Sequence, residues 1–155
     1  MRVYLDHAAT TPMPAAVREE YLRALELTGN PASTHGHGQS ASDMLEAARA
    51  EIAALLGCDP AMVTLTGGGT ESINLALKGM YWAAKRASDG ARTVVLIAEG
   101  EHHATIEAAE WLRDAQGAIL ETIPIDAYGA VTPHALAEAI DRIGADRIAV
   151  CSFLW

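Results

Sequence analysis

Val63-Thr64-Leu65-Thr66-Gly67-Gly68-Gly69-Thr70-Glu71-Ser72-Ile73-Asn74-Leu75-Ala76-Leu77 carries the reading of the fold. A short β-branched run gives way to three glycines and then to apolar residues at helical spacing, the pattern of a strand, a tight turn and a helix. The unit recurs downstream. Thr93 to Ile97 leads into a helix carrying Ile106, Ala109 and Leu112, and Ala118 to Ile123 leads through Asp126-Ala127-Tyr128-Gly129 to a helix from Pro133 to Ile140. Ile148 to Trp155 is a last apolar run that reads as a buried strand. Strands alternating with helices predict an α/β fold with a mostly parallel sheet. No turn, helix or polar tail follows the last run, so the chain reads as stopping in mid-unit.

Upstream of the glycines the pattern differs. Met1 to Pro14 holds small residues and two prolines and reads as an extended arm. Pro14 opens a helix that places Val17, Tyr21, Leu22 and Leu25 on one face and stops near Gly29. The stretch Asn30 to Gly38 is dense in turn formers and reads as a linker or a binding loop. From Ser40 to Leu56 the apolar positions follow helical spacing, with Asp43, Glu46 and Glu51 on the other side and Gly57 as the stop.

Composition bounds the function classes. The 155 residues match about one domain of roughly 150 residues. With 50% hydrophobic and 20% charged residues, the chain is too apolar for disorder and too interrupted by charge for a membrane protein. Eleven Lys and Arg against 20 Asp and Glu give a net charge of −9, which argues against nucleic acid or a membrane surface as partner. An anionic ligand would have to be held locally. Two cysteines are too few for a disulfide scaffold, and no charged-then-apolar leader precedes Tyr4, so the expected compartment is the cytoplasm.

Two segments are candidates for chemistry. In Thr66-Gly67-Gly68-Gly69-Thr70-Glu71-Ser72 the glycines allow close approach of the backbone, the first free N–H groups of the helix point outward, and the Thr70 hydroxyl adds a donor. That makes an anion seat without a basic side chain. The loop lacks the Gly-Lys-Ser/Thr ending of a Walker loop and the GxGxxG spacing of a dinucleotide site. The alternative is a tight strand-to-helix turn, and pattern alone does not choose between them. The second segment, Glu101-His102-His103-Ala104-Thr105, follows the strand ending near Ala98, where open α/β sheets bind ligands. A histidine there can stack on a ring, move a proton or bind a metal, and one of the two is expected to cap the helix or stay solvated. His35, His37, Glu101, His102 and His103 do not make a metal site: there is no HExxH helix and no cysteine pair at metal spacing. Cys58 and Cys151 read as small hydrophobes without an activating neighbour.

Tyr4-Leu5-Asp6-His7-Ala8-Ala9-Thr10-Thr11-Pro12, Gly29-Asn30-Pro31-Ala32-Ser33-Thr34-His35, Ala48-Arg49, Gly68-Gly69-Thr70-Glu71-Ser72-Ile73-Asn74-Leu75-Ala76 and Glu101-His102-His103 resemble, in order and spacing, the cysteine desulfurases of the class V aminotransferase group of pyridoxal-phosphate enzymes. The resemblance covers nearly the whole chain. It implies a partial three-layer, mostly parallel sheet of the family's large domain, truncated, with an N-terminal arm and helix over 1–29 and the incomplete first part of the pyridoxal-phosphate domain over 30–155. It implies that Gly69 and Thr70 bind the cofactor phosphate, and that His102 stacks on the pyridine ring and serves in proton transfer, with His103 the bland one. Asp6 to Thr11 and Asn30 to His35 match segments lining the substrate side.

For a complete member the resemblance implies conversion of L-cysteine to L-alanine. The sulfur passes as an enzyme persulfide to an acceptor protein, for iron–sulfur clusters or tRNA thiolation, and the enzyme is a homodimer. The lysine that bonds the cofactor, the aspartate facing the pyridine nitrogen, the nucleophilic cysteine and the carboxylate-binding arginine find no match in this sequence, and neither Lys78 nor Lys85 corresponds to that lysine. The isolated chain is therefore expected to be inactive, to bind the cofactor weakly at best, and to carry an interrupted sheet, so that it is unstable, rearranges or relies on a second chain. The alternatives are a noncatalytic module pairing with a full-length desulfurase, or another class V enzyme such as a selenocysteine lyase.

Overall fold

A computed structural model describes residues 3–7 and 9–154, so Ala8 of the arm and Trp155 of the last apolar run lie outside the described residues. The chain forms two compact units, one running through Leu65 and one starting at Thr66.

The first unit holds α1 (Ala15–Leu25), α2 (Gly36–Leu56) and a short 3₁₀ turn over Pro60–Met62. α2 starts four residues before Ser40, because His35 caps it: its Nδ1 accepts the Gly38 N–H at 3.4 Å. The loop before it is held tightly. Asn30 accepts the Ala32 N–H through Oδ1 and the Ser33 N–H through its carbonyl, each at 2.9 Å. A Cβ at Gly38 would meet the Ser33 carbonyl oxygen at 2.4 Å, so only glycine fits there. The apolar stripes expected on α1 and α2 are present but largely uncovered: α1 buries no residue and α2 buries only Gly38 and Ala53. Periodicity reports an apolar face and carries no information about what lies on it.

Val63–Thr66, expected as a strand, is not one. Val63 is extended, but its carbonyl accepts a hydrogen bond from the Arg49 guanidinium of α2 instead of a neighbouring strand. The propensity is there and a ladder partner is not. Among the described residues the sheet is the three strands downstream, and Val63–Thr66 is not part of it.

The second unit runs α3 (Gly69–Ala87), β1 (Val94–Ala98), α4 (His103–Gln116), β2 (Ile119–Ile123), α5 (Pro133–Ile143) and β3 (Ile148–Ser152). The three strands are parallel in the order β2-β1-β3. All five residues of β1 are buried, as a central parallel strand covered on both faces requires. On one face Val95 and Ile97 pack with Leu77 and Tyr81 of α3, Ala108, Ala109 and Leu112 of α4, and Val150 of β3. On the other, Val94 and Leu96 pack with Ile123 and with Ala139 and Ile143 of α5. The result is a three-layer α/β arrangement.

A register shift between Val94 and Val95 pairs them with Ile148 and Val150, so Ala149 is an extra residue in β3. Without it Ile148 and Val150 would face the same way; with it Ile148 joins the α5 side and Val150 the α3/α4 side. β3 is less buried than its apolar composition suggests. Val150 alone is buried and Cys151 is exposed, because β3 is an edge that pairs only with β1.

Leu112 is fully buried and Leu55 is 88% exposed. Leu112→Ala is expected to cost about 2–5 kcal/mol in urea unfolding, against less than about 0.5 kcal/mol for Leu55→Ala; similar costs for the two would contradict this core.

Candidate functional site

The glycine loop delivers Gly69 and Thr70 into the first turn of α3. The N-cap, Gly68, offers no side chain, and no side-chain cap bond closes this end. The N–H groups of Gly69 and Thr70 meet no acceptor among the described residues, which leaves the exposed donors and the positive end of the helix dipole facing outward. They open into a shallow concavity of about 590 Å³ lined by Gly67, Gly68, Gly69, Thr70, Glu71 and Asn74. A Cβ added at Gly68 or Gly69 would meet nothing within 4 Å, so their bareness serves no packing inside the protein and leaves room for a ligand. A phosphate fits this donor set.

The flanks of the loop are tied. Thr66 Oγ1 and Ser72 Oγ lie 2.6 Å apart, and Asn74 Nδ2 donates to the Thr70 carbonyl at 2.9 Å. Gly67 N–H donates to Glu71 Oε2 at 2.7 Å. Glu71 was not singled out in the sequence, although an acidic residue three positions after an N-cap is the pattern of a reciprocal cap.

The second segment follows β1. His102 is the N-cap of α4, and its Nδ1 accepts the Ala104 N–H at 3.1 Å. Capping and the expected functional role therefore fall on the same histidine. With Nδ1 committed as acceptor, the neutral ring carries its proton on Nε2, which with the ring face remains available on an exposed residue. His103 is also exposed, its ring edge-on to His102 with centroids 6.5 Å apart. Both candidate segments belong to the unit built on β1, and α4 starts beyond that strand's carboxyl end. Ser72 and Ile73 of α3 share a cavity of about 300 Å³ with Cys151 and Ser152 at the end of β3, so α3 also begins on that side of the sheet.

Glu101 escaped the sequence reading as more than a possible ligand. It is buried, at 9% exposure, and its Oε1 has no hydrogen-bond partner among the described residues. Partial burial and the Glu101 charge push the Cys151 thiol above its ordinary value, which opposes a nucleophilic role for that cysteine. The lysines of α3 are engaged away from the glycine loop. Lys78 Nζ sits 4.2 Å from the centre of the Trp111 ring, and Lys85 Nζ donates to Tyr81 Oη and the Gln116 carbonyl. Among the described residues no group of three or more His, Cys, Asp and Glu is arranged to hold a metal ion. Among the described residues no helix is long and apolar enough to cross a membrane.

The sequence profile described as Aminotransferase class-V matches residues 3–152. The chain belongs to the class-V aminotransferase family. Among curated relatives it is 46% identical to an IscS-like cysteine desulfurase of Mycobacterium tuberculosis over 154 residues, 98% of this chain and 38% of that protein. It is 36% identical over 139 residues to cysteine desulfurase IscS of Methanosarcina thermophila, 89% of this chain and 33% of that protein. Among solved structures it resembles a NifS-like protein with TM-score 0.75 and 33% identity, covering 89% of this chain and 37% of the other. It also resembles DndA from Streptomyces lividans, with TM-score 0.76 and 28% identity over 97% of this chain and 40% of the other. The chain thus spans well under half the length of each of these proteins.

Because the thiolate is the reacting form and the Cys151 thiol is pushed upward, Cys151 is expected to alkylate with iodoacetamide at pH 8 more slowly than free cysteine. Glu101→Gln removes one of the two causes and should raise the rate; an unchanged rate would show that the carboxylate does not act on the thiol.

Proposed function

We propose that this chain supplies the phosphate seat and the ring-stacking histidine of a pyridoxal-phosphate-dependent cysteine desulfurase. The observation that carries the reading is the pair of free N–H groups at Gly69 and Thr70, on a bare glycine turn at the start of α3, in a chain matched to the class-V family over residues 3–152. Members of this family are pyridoxal-phosphate enzymes, and the curated relatives carry the name cysteine desulfurase. When bound, the cofactor serves as an electron sink for bonds broken at the substrate α-carbon.

The chain's own residues divide the remaining work. The N–H groups of Gly69 and Thr70 and the Thr70 hydroxyl bind the phosphate by direct donation and by the helix dipole. No basic side chain is needed, which reconciles an anionic cofactor with a net charge of −9. His102 offers its ring face for stacking and Nε2 for holding or passing a proton, while the bond from Ala104 N–H to Nδ1 orients the imidazole. In the complete reaction L-cysteine yields L-alanine, and the sulfur leaves as a persulfide for delivery to an acceptor protein. Dimerisation belongs to the same proposal, as do the 1–29 and 30–155 division of the chain and a cytoplasmic location.

Two measurements test it. The purified chain is expected to bind pyridoxal 5′-phosphate more tightly than pyridoxal, and Thr70→Ala to weaken the phosphate form by about tenfold, the size of one good hydrogen bond to a charged group. Equal affinity for the two ligands would remove the phosphate seat. For the reaction, the aligned segment of the M. tuberculosis relative is replaced by this chain, and alanine release is followed with L-cysteine and with L-selenocysteine. Turnover of L-cysteine that falls about a hundredfold on His102→Ala is expected for a group acting in proton transfer. A folded, cofactor-loaded chimera that acts on selenocysteine alone would favour the lyase reading instead.

A further inference from the structure

The glycine loop already holds an anion of its own. Glu71 Oε2 accepts the Gly67 N–H at 2.7 Å, a charge-assisted hydrogen bond between the third residue of α3 and the residue before its N-cap. The contact is close enough that a Cβ on Gly67 would lie 3.1 Å from the same oxygen. Gly67 is therefore not an available donor, whereas Gly69 and Thr70 are.

We propose that Glu71 is a positioning residue of the phosphate seat: by taking the Gly67 N–H it fixes the loop in its ligand-ready shape and withholds that donor from phosphate, leaving the donors of Gly69 and Thr70 to face the ligand. This rests on the phosphate-seat reading above and deepens it. Two physical effects oppose each other at this side chain. The hydrogen bond preorganises the loop, which lowers the ordering cost of binding. The negative charge complements the helix dipole and repels a phosphate seated on the same turn. Removing the acceptor and removing only the charge should therefore have opposite consequences. Glu71→Ala loses the bond and frees the loop, while Glu71→Gln keeps an acceptor for Gly67 N–H and drops the repulsion.

The test uses the full chain. Amide hydrogen exchange at Gly67, with no ligand present, is expected to be slowed in the parent chain and in Glu71→Gln and to accelerate in Glu71→Ala. Exchange at Gly67 that is equally fast in the parent and in Glu71→Ala would overturn the proposal without reference to any cofactor. The preference for pyridoxal 5′-phosphate over pyridoxal is then compared at matched thermal stability. Glu71→Ala should lower this ratio about fivefold, and Glu71→Gln should keep or raise it by up to about twofold, in line with one exposed like-charge interaction. A purely structural role would reduce melting temperature and leave the ratio unchanged, and that result overturns the assignment. If the parent chain shows no preference for the phosphorylated ligand, the seat itself falls, and the role of Glu71 with it. If the preference is present and survives Glu71→Ala, the seat stands and the role of Glu71 alone is refuted.

Discussion

Burial of Val94–Ala98 on both faces is the constraint on which the Thr66-onward unit depends. A parallel strand with no solvent face must be flanked by strands and covered by helices above and below. β2 and β3 supply the flanks, α3 and α4 one cover, and α5 the other. Because every connection between parallel strands crosses over, the turns leaving the strands gather at one end of the sheet. The chain places Glu101, His102 and the start of α4 beyond that end of β1. The extra residue Ala149 allows an edge strand to serve both cores, sending Ile148 and Val150 to opposite faces.

The candidate site draws on the same geometry rather than on charge. Its positive potential comes from backbone N–H groups and helix dipoles at the start of α3, so an acidic chain can present a seat for an anion. Acidic side chains close by are assigned elsewhere. Glu71 is spent on Gly67 N–H, and Glu101 is withdrawn from solvent near Cys151, where its charge helps keep that thiol protonated. His102 presents two different nitrogens, one fixed by the helix it starts and one left free.

Much of this was readable from residue order. The two strand-helix units and the last strand from Thr93 onward, the glycine turn into α3 and the histidines after β1 depend on local patterns of two or 3.6 residues and on turn formers. Other features escaped because they depend on partners distant in sequence. Val63–Thr66 has strand composition and no ladder, since Val63 answers to Arg49. Cys151 looked buried in an apolar run, yet lies on an edge strand. α2 starts at Gly36 because a histidine cap and the close approach of Gly38 to Ser33 override turn-former composition.

By itself the sequence determined the alternation of strand and helix, the positions of Gly69, Thr70 and His102 at helix starts, and the family to which those motifs point. Each follows from short-range backbone chemistry, in which a residue's neighbours are its neighbours in the chain. The tertiary structure decided which faces are covered, which histidine nitrogen is free, that Glu71 closes the loop and that Glu101 is buried without a partner among the described residues. Those outcomes are set by where hydrogen bonds and apolar surface find partners in space, and no residue pattern along the chain encodes that directly.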